Sequence, residues 1–142
     1  MKLLLDINVL LDVLLNRAPW AEAAAELLVT LEEGKATGFV AGHTLTTVHY
    51  IVSRARDRET AAAAVTDLLR ILEVVPVEKV DFHQALVLPM DDFEDAVQAA
   101  AALKVGADLI VTRDEKDFRP LPLPSVVPGA ALSMVRALPK GG

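Results

Sequence analysis

Leu3-Leu4-Leu5-Asp6-Ile7-Asn8 is the stretch that decides the fold. Its three consecutive leucines lack the polar alternation of a half-exposed strand, so they predict a strand covered on both faces, as in a parallel sheet between helices. Residues 9–16 have helical spacing, which places Asp6 and Asn8 where a strand turns into a helix. Ligands bind at such carboxyl ends in open α/β sheets. Taken alone, however, either residue is explained slightly better as the N-cap of the helix.

Length and composition predict one domain in a reducing compartment. A chain of 142 residues can bury a full core, so we expect a single domain over residues 1–138 and a flexible tail at 139–142. The absence of cysteine excludes disulfides and thiolate metal ligands, which favours the cytoplasm. We expect no membrane association, because no run approaches the ~18 apolar residues of a membrane helix. The formal net charge of −6 argues against broad attraction to nucleic acid but does not exclude a nuclease cleft.

The rest of the chain alternates strands with helices. Four further apolar segments predict strands, at residues 36–41, 73–77, 108–112 and 125–127. Amphipathic segments predict the other helices, at residues 21–33, 43–56, 57–72, 78–88, 91–103 and 128–138. Pro76 places the third strand at a sheet edge or at a strand end. This alternation predicts a three-layer α/β/α sandwich around a mainly parallel sheet of four to five strands.

Acids occur at two more places near the edge that Asp6 occupies. The fourth predicted strand runs into Asp114, so a buried strand again delivers an acid at its carboxyl end. Asp95 lies in the first turn of a helix, on the alanine-rich stripe expected to pack on the sheet, where a carboxylate needs a partner. Carboxylates crowded in one cleft raise each other's pKa values unless a cation neutralises them. Oxygen ligands without cysteine indicate Mg²⁺ or Mn²⁺, and the chemistry that fits is attack of water on a phosphodiester.

Several neighbouring polar residues have ordinary structural explanations. Asp91 and Glu94 match a capping box, and an acid such as Asp92 suits the first turn of a helix. The third predicted helix, residues 43–56, carries a polar stripe that includes Thr47 and Arg54. This stripe either lines a cleft or is the solvated side of an amphipathic helix, and the residues alone favour the second explanation.

Three short segments carry a resemblance to the PIN-domain family and, within it, to the VapC-like toxins of toxin–antitoxin pairs. They are DINVLLD at residues 6–12, DFEDA at 92–96 and TRDEKDF at 112–118. Together they cover nearly the whole chain in the expected order and spacing. The resemblance implies a PIN-like fold and a Mg²⁺-dependent ribonuclease specific for single-stranded RNA. Such proteins are commonly homodimers and are held inactive by a cognate antitoxin.

The resemblance also implies roles for individual residues. The acids that look catalytic and metal-ligating are Asp6, Asp95 and Asp114, with Asp117 as a supporting catalytic acid. The polar residues expected to support the site are Asn8, Thr47, Asp92 and Thr112. Arginine suits phosphate contacts, and the candidates for substrate binding are Arg54 and Arg113.

Thr47 is a departure from the family pattern, which usually has a Glu at this position of the third helix. A hydroxyl group is a poorer metal ligand than a carboxylate, so the expected affinity for a second ion is lower. Asp92 and His49 are the candidates for compensating the missing charge.

The leading interpretation is a cytoplasmic endoribonuclease, and two alternatives remain open. One is a degenerate PIN module that binds RNA or a partner without cleavage; Mg²⁺ binding without phosphodiester cleavage would identify it. The other is an aspartate-based phosphohydrolase with Asp6 as its nucleophile. That enzyme class requires a second acid at position 8 and a lysine near a later strand end, whereas this chain has Asn8 and only Lys116 nearby.

Overall fold

A parallel sheet forms the centre of the computed structural model, which describes residues 1–139. Its strands are β1 (Lys2–Leu5), β2 (Thr37–Ala41), β3 (Glu73–Val75), β4 (Leu109–Val111) and β5 (Ser125–Val126). The five strands have the order β3-β2-β1-β4-β5, and each neighbouring pair is parallel. β1 is therefore the central strand, and its leucines are fully buried, as predicted. Residues 140–142 of the predicted flexible tail lie outside the described residues.

Helices cover both faces of the sheet. They are α1 (Ile7–Leu14), α2 (Ala21–Glu32), α3 (Gly42–Ala55), α4 (Arg58–Ile71), α5 (Lys79–Val87), α6 (Phe93–Lys104) and α7 (Pro128–Arg136), with a 3₁₀ helix at Glu115–Phe118. Successive side chains of a strand point to opposite faces. Leu3 and Leu5 accordingly pack with α1, α2, α3, α4 and α7, whereas Leu4 packs with alanines of α6. The predicted three-layer α/β/α sandwich is confirmed. Among residues 1–139 there is no helix with the length and apolarity to cross a membrane.

The alanine run of α6 brings this helix close to the sheet. Ala99, Ala100, Ala101 and Ala102 are all buried. Small side chains allow a helix backbone to approach its neighbours, and burying the larger Leu4 of β1 beneath this helix contributes about 1.5–3 kcal/mol. The first turn of α6 is thereby held near the carboxyl end of β1.

Two predicted element boundaries are confirmed and one is wrong. β3 is an edge strand and ends at Val75, immediately before Pro76. The predicted start of a helix at residue 57 is confirmed, because Asp57 caps α4 and its Oδ1 accepts a hydrogen bond from the Thr60 backbone N–H at 2.7 Å. At α6, however, the N-cap residue is Asp92 and not Asp91. Asp92 has extended backbone angles and accepts from the Asp95 N–H at 2.9 Å, so the predicted capping box of Asp91 with Glu94 does not form.

Candidate active site

Asp6 lies at the carboxyl end of the central strand and is almost fully buried. Thr112 Oγ1 donates a hydrogen bond to Asp6 Oδ2 at 2.9 Å, and Gln98 Nε2 donates to Asp6 Oδ1 at 3.0 Å. Asp6 occupies the N-cap position of α1, but its side chain makes no capping hydrogen bond. The explanation of Asp6 as a capping residue is therefore wrong. Its carboxylate is instead held by Thr112, which follows β4, and by Gln98, which belongs to α6.

Gln98 of α6 connects the acids, and the sequence analysis missed it. This side chain is fully buried. Its Oε1 accepts a hydrogen bond from the Ile7 N–H at 3.0 Å, while its Nε2 donates to Asp6 and, at 3.4 Å, to Asp95 Oδ1. A signal was present, because Gln98 is the single polar residue in the stretch 96–103. It also follows Asp95 by three residues, which places both on one face of the helix.

Asp95, in the first turn of α6, is the most perturbed acid of the site. Its side chain is half-buried, and its pKa is raised to about 7. Burial is the largest cause, and the charges of four further acids add to it: Asp6, Asp92, Asp117 and Glu94. Burial likewise raises the pKa of Asp6, against the lowering effect of its hydrogen bonds from Gln98 and Thr112. The structure thus gathers into one electrostatic environment most of the acids that the sequence singled out.

Asp114 joins this group through Thr112. The Asp114 backbone N–H donates to Thr112 Oγ1 at 3.0 Å, and the same hydroxyl group donates to Asp6. One threonine side chain therefore links the ends of β1 and β4. The charge of Asp114 also raises the pKa of Asp6, after the larger effect of burial. Asn8 is half-buried in the first turn of α1.

An open cleft of about 340 Å³ lies beside Asp95. Its lining consists of Pro89, Met90, Asp91, Asp92, Asp95, Lys116, Asp117 and Pro120. Asp6 and Asp114 are not among these described lining residues. This cleft therefore exposes Asp95 and Asp117 to solvent.

Thr47 of α3 makes an ordinary helical contact. Its Oγ1 donates to the His43 carbonyl oxygen at 3.5 Å. Within residues 1–139, no hydrogen bond connects Thr47 with Asp6, Asp95 or Asp114. The structure thus gives Thr47 no direct part in holding the acids.

The two candidate arginines have different surroundings. Arg54 is exposed on α3, and its guanidinium carbon lies 5.9 Å from the Tyr50 ring centroid. The guanidinium carbon of Arg113 lies 4.0 Å from the Trp20 ring centroid, and its Nε is 3.6 Å from Asp12 Oδ2. Arg113 is therefore engaged within the protein, whereas Arg54 is available at the surface.

The carboxylate oxygens of these acids are suitable metal ligands, but they do not all surround one position for an ion. In the part of the chain that the structure describes, no group of three His, Asp or Glu side chains is close enough to hold one ion. Gln98 donates to both Asp6 and Asp95 and thereby offsets part of their repulsion. The raised pKa of Asp95 is typical of a carboxylate that lacks a counter-charge. A small divalent cation that prefers oxygen ligands fits this environment.

Comparison with known proteins adds independent findings. The family model for the PIN domain matches residues 2–116. Ribonuclease VapC1 of Aquifex aeolicus (strain VF5) is 27% identical over 124 residues, which are 84% of this chain and 85% of that protein. The solved structure of VapBC2 from Rickettsia felis, bound to a DNA fragment from its promoter, superposes with a TM-score of 0.70 at 20% identity and covers 88% of this chain and 97% of that one. The solved structure of Mycobacterium tuberculosis VapC20, a toxin that cleaves the sarcin–ricin loop, superposes with a TM-score of 0.62 at 17% identity. It covers 76% of this chain and 86% of that one.

Proposed function

Because the chain belongs to the PIN-domain family, we propose that it is a ribonuclease that cleaves single-stranded RNA with Mg²⁺ or Mn²⁺. The observation that carries the proposal is the connected group of acids at the carboxyl edge of the sheet. Asp6 is joined to Asp95 through Gln98 and to Asp114 through Thr112. The name of the relative Ribonuclease VapC1, which aligns with 84% of this chain, supports a nuclease.

Asp6, Asp95 and Asp114 are the residues that would hold the ion, with Asp92 and Asp117 as supporting acids. When bound, Mg²⁺ or Mn²⁺ supplies positive charge that stabilises the negative charge developing on the phosphoryl oxygens. In the ion-free protein, burial and the neighbouring acids raise the pKa of the Asp95 carboxyl to about 7, so the protonated form is populated near neutral pH. Ligands must be deprotonated to bind a metal. Asp95 would hold the ion in its deprotonated form, so a bound ion would displace the proton from those molecules that carry it.

Thr112 and Gln98 orient the acids before any ligand binds. Each donates one hydrogen bond to a different oxygen of Asp6, so the plane of this carboxylate is defined by two contacts. Thr112 Oγ1 also accepts a hydrogen bond from the Asp114 N–H, so one hydroxyl group contacts both Asp6 and the backbone of Asp114. Such preorganisation avoids reorganisation of the site during the reaction.

A positive side chain in the cleft suits the phosphates of an RNA strand. Lys116 lines the cleft beside Asp95, and the exposed Arg54 is the second candidate contact. With a formal net charge of −6, general attraction to nucleic acid is weak, so these local contacts would direct the strand. Arg113 is a poorer candidate because it already pairs with Asp12 and contacts Trp20.

We further propose that the protein is the cytoplasmic toxin of a toxin–antitoxin pair, acts as a homodimer and is held inactive by a cognate antitoxin. The support comes from relatives, since one matching structure is a VapBC2 assembly bound to promoter DNA. A small overlapping upstream reading frame that encodes a DNA-binding protein would support the pair. Co-purification of that protein with this chain is the direct test.

The test of the activity is cleavage of a single-stranded RNA by purified protein, with the same sequence in a duplex as comparison. We expect cleavage of the single strand with Mg²⁺ or Mn²⁺ and none in excess EDTA. Asp6→Asn, purified in parallel, controls for contaminating ribonucleases. Cleavage that persists in EDTA after repurification would contradict the proposal.

A PIN module that binds without cleavage is the second candidate. Thr47, in place of the Glu usual in the family, favours it, as does the absence of a converged ligand group among residues 1–139. Calorimetric titration with Mg²⁺, combined with the RNA cleavage assay, separates the two functions. Binding of the ion without cleavage of any single-stranded RNA would support the second candidate.

A further inference from the structure

Asp12 of α1 is a buried carboxylate outside the acid group described above. It is 1% exposed. Arg17 Nη1 lies 3.6 Å from its Oδ1, and Arg113 Nε lies 3.6 Å from its Oδ2. Burying an ionised carboxylate is costly unless it is paired with a positive charge. Asp12 therefore restrains both arginines, and Arg113 is the one that lies next to the site.

Arg113 also contacts the only tryptophan of the chain. Its guanidinium carbon lies 4.0 Å from the ring centroid of Trp20, which precedes α2 and is 44% exposed. Guanidinium groups are attracted to the face of an indole ring, and they pack flat against it. Two separate elements, α1 and the connection between α1 and α2, thus restrain one side chain of the segment after β4.

Arg113 lies between two residues of the candidate site. Thr112, immediately before it, donates to Asp6, and Asp114, immediately after it, donates its N–H to Thr112. We propose that Asp12, Arg113 and Trp20 form a positioning unit that fixes the geometry of Asp114 toward the ion. The inference rests on the proposed function, because Asp114 is assigned there as a ligand.

Substitutions at positions 113 and 20 distinguish a role in positioning Asp114 from a role of the positive charge alone. Lysine at position 113 keeps the positive charge but loses the planar group that packs on the indole. Phenylalanine at position 20 keeps an aromatic face with a weaker attraction for a cation, and alanine removes it. If positioning matters, Arg113→Lys and Trp20→Ala are impaired and Trp20→Phe retains most of the wild-type behaviour.

The experiment first examines the ion-free protein in EDTA. Amide hydrogen exchange measured by NMR reports on the Asp114 N–H, which is bonded to Thr112 Oγ1. We expect faster exchange of this amide in Arg113→Lys and Trp20→Ala, with unchanged exchange at buried β1 amides such as that of Leu4. Because Trp20 is the only tryptophan, its fluorescence should also differ between the wild type and Arg113→Lys.

The second measurement uses Mg²⁺ and RNA. We expect Arg113→Lys and Trp20→Ala each to weaken Mg²⁺ binding about three- to tenfold and to lower kcat similarly, with KM for RNA within about twofold. The double variant should lose no more than the worse single variant, since both act through one contact. Arg136→Lys is the matched control, because Arg136 is exposed and pairs only with Glu26, at 3.4 Å, among the described residues.

Each remaining outcome contradicts a specific statement. Normal Mg²⁺ binding by Arg113→Lys and Trp20→Ala, beside a wild type that binds the ion, overturns the positioning unit and leaves the proposed function intact. Faster exchange at core amides together with Asp114 shows a general stabilising role and also overturns it. A wild type that neither binds Mg²⁺ nor cleaves RNA overturns the proposed function, and the positioning role with it.

Discussion

In the ion-free protein, replacement of Asp95 by asparagine should stabilise the fold at neutral pH. Burial and the charges of neighbouring acids raise the pKa of this carboxyl to about 7 in the folded protein, against about 3.9 in an unfolded chain. A group with a raised folded pKa binds its proton more tightly in the native state. Its contribution to stability is therefore fully present below about pH 4 and is lost as the pH rises through about 7. Asparagine has a similar shape and does not incur this loss.

The magnitude follows from the pKa difference and from the surroundings of Asp95. A shift of about 3 units corresponds to an upper limit of about 4 kcal/mol, and solvent screening of a half-buried group reduces it to about 1–2 kcal/mol. The substitution gives up about 0.3–1 kcal/mol of favourable interaction between a negative charge and the first turn of α6. The weak 3.4 Å hydrogen bond from Gln98 can be kept by the asparagine oxygen. We expect a net gain of about 1 kcal/mol, or about 3 °C in Tm for a domain of this size.

Thermal melts at low salt in EDTA, at pH 5 and pH 8, measure this effect. The gain of Asp95→Asn should be larger at pH 8, and added Mg²⁺ should stabilise the wild type more than the variant, since the ion binds the folded state. Asp91→Asn, which removes an exposed acid from the same segment, is the control and should change stability by less than about 0.5 kcal/mol. If Asp95→Asn melts well below the wild type in EDTA, its carboxylate holds the fold and its assignment to the ion site fails.

Four further substitutions test the other parts of the site. Asp6→Asn or Asp114→Asn should lower RNA cleavage at least about 100-fold with an unchanged circular dichroism spectrum; activity near that of the wild type would mean that the acid is structural. Thr47→Glu should tighten Mg²⁺ binding in calorimetry and raise turnover, because it adds a carboxylate, and unchanged or weaker binding would show that this part of α3 does not face the acids. Gln98→Leu should lower the free energy of unfolding in urea by about 2–4 kcal/mol, because it leaves the buried Ile7 N–H and Asp6 Oδ1 without this partner. A loss below about 1 kcal/mol would show that water replaces the amide.

The architecture and the edge of the sheet at which the acids lie follow from local signals in the amino-acid sequence. The leucines of β1, the apolar stripes of the helices and Pro76 at the end of β3 are local signals, and the structure agrees with each of them. Because parallel strands all end at one edge, an acid after β1 and an acid after β4 were expected at the same edge. That these two acids are neighbours follows from the strand order, which places β1 beside β4.

Only the tertiary structure decided which side chains hold those acids. Gln98 reaches Asp6 across 92 positions of the sequence, and Arg113 meets Trp20 and Asp12 only because the segment after β4 packs beside α1. Whether Asp91 or Asp92 caps α6 depended on where the chain turns toward the sheet, because the local capping-box pattern favoured Asp91 and the helix is capped by Asp92. Hydrophobic periodicity records which face of an element is buried. This periodicity does not show which polar group contacts that buried face, because the partners of a buried hydrogen bond come from segments that are distant in the sequence.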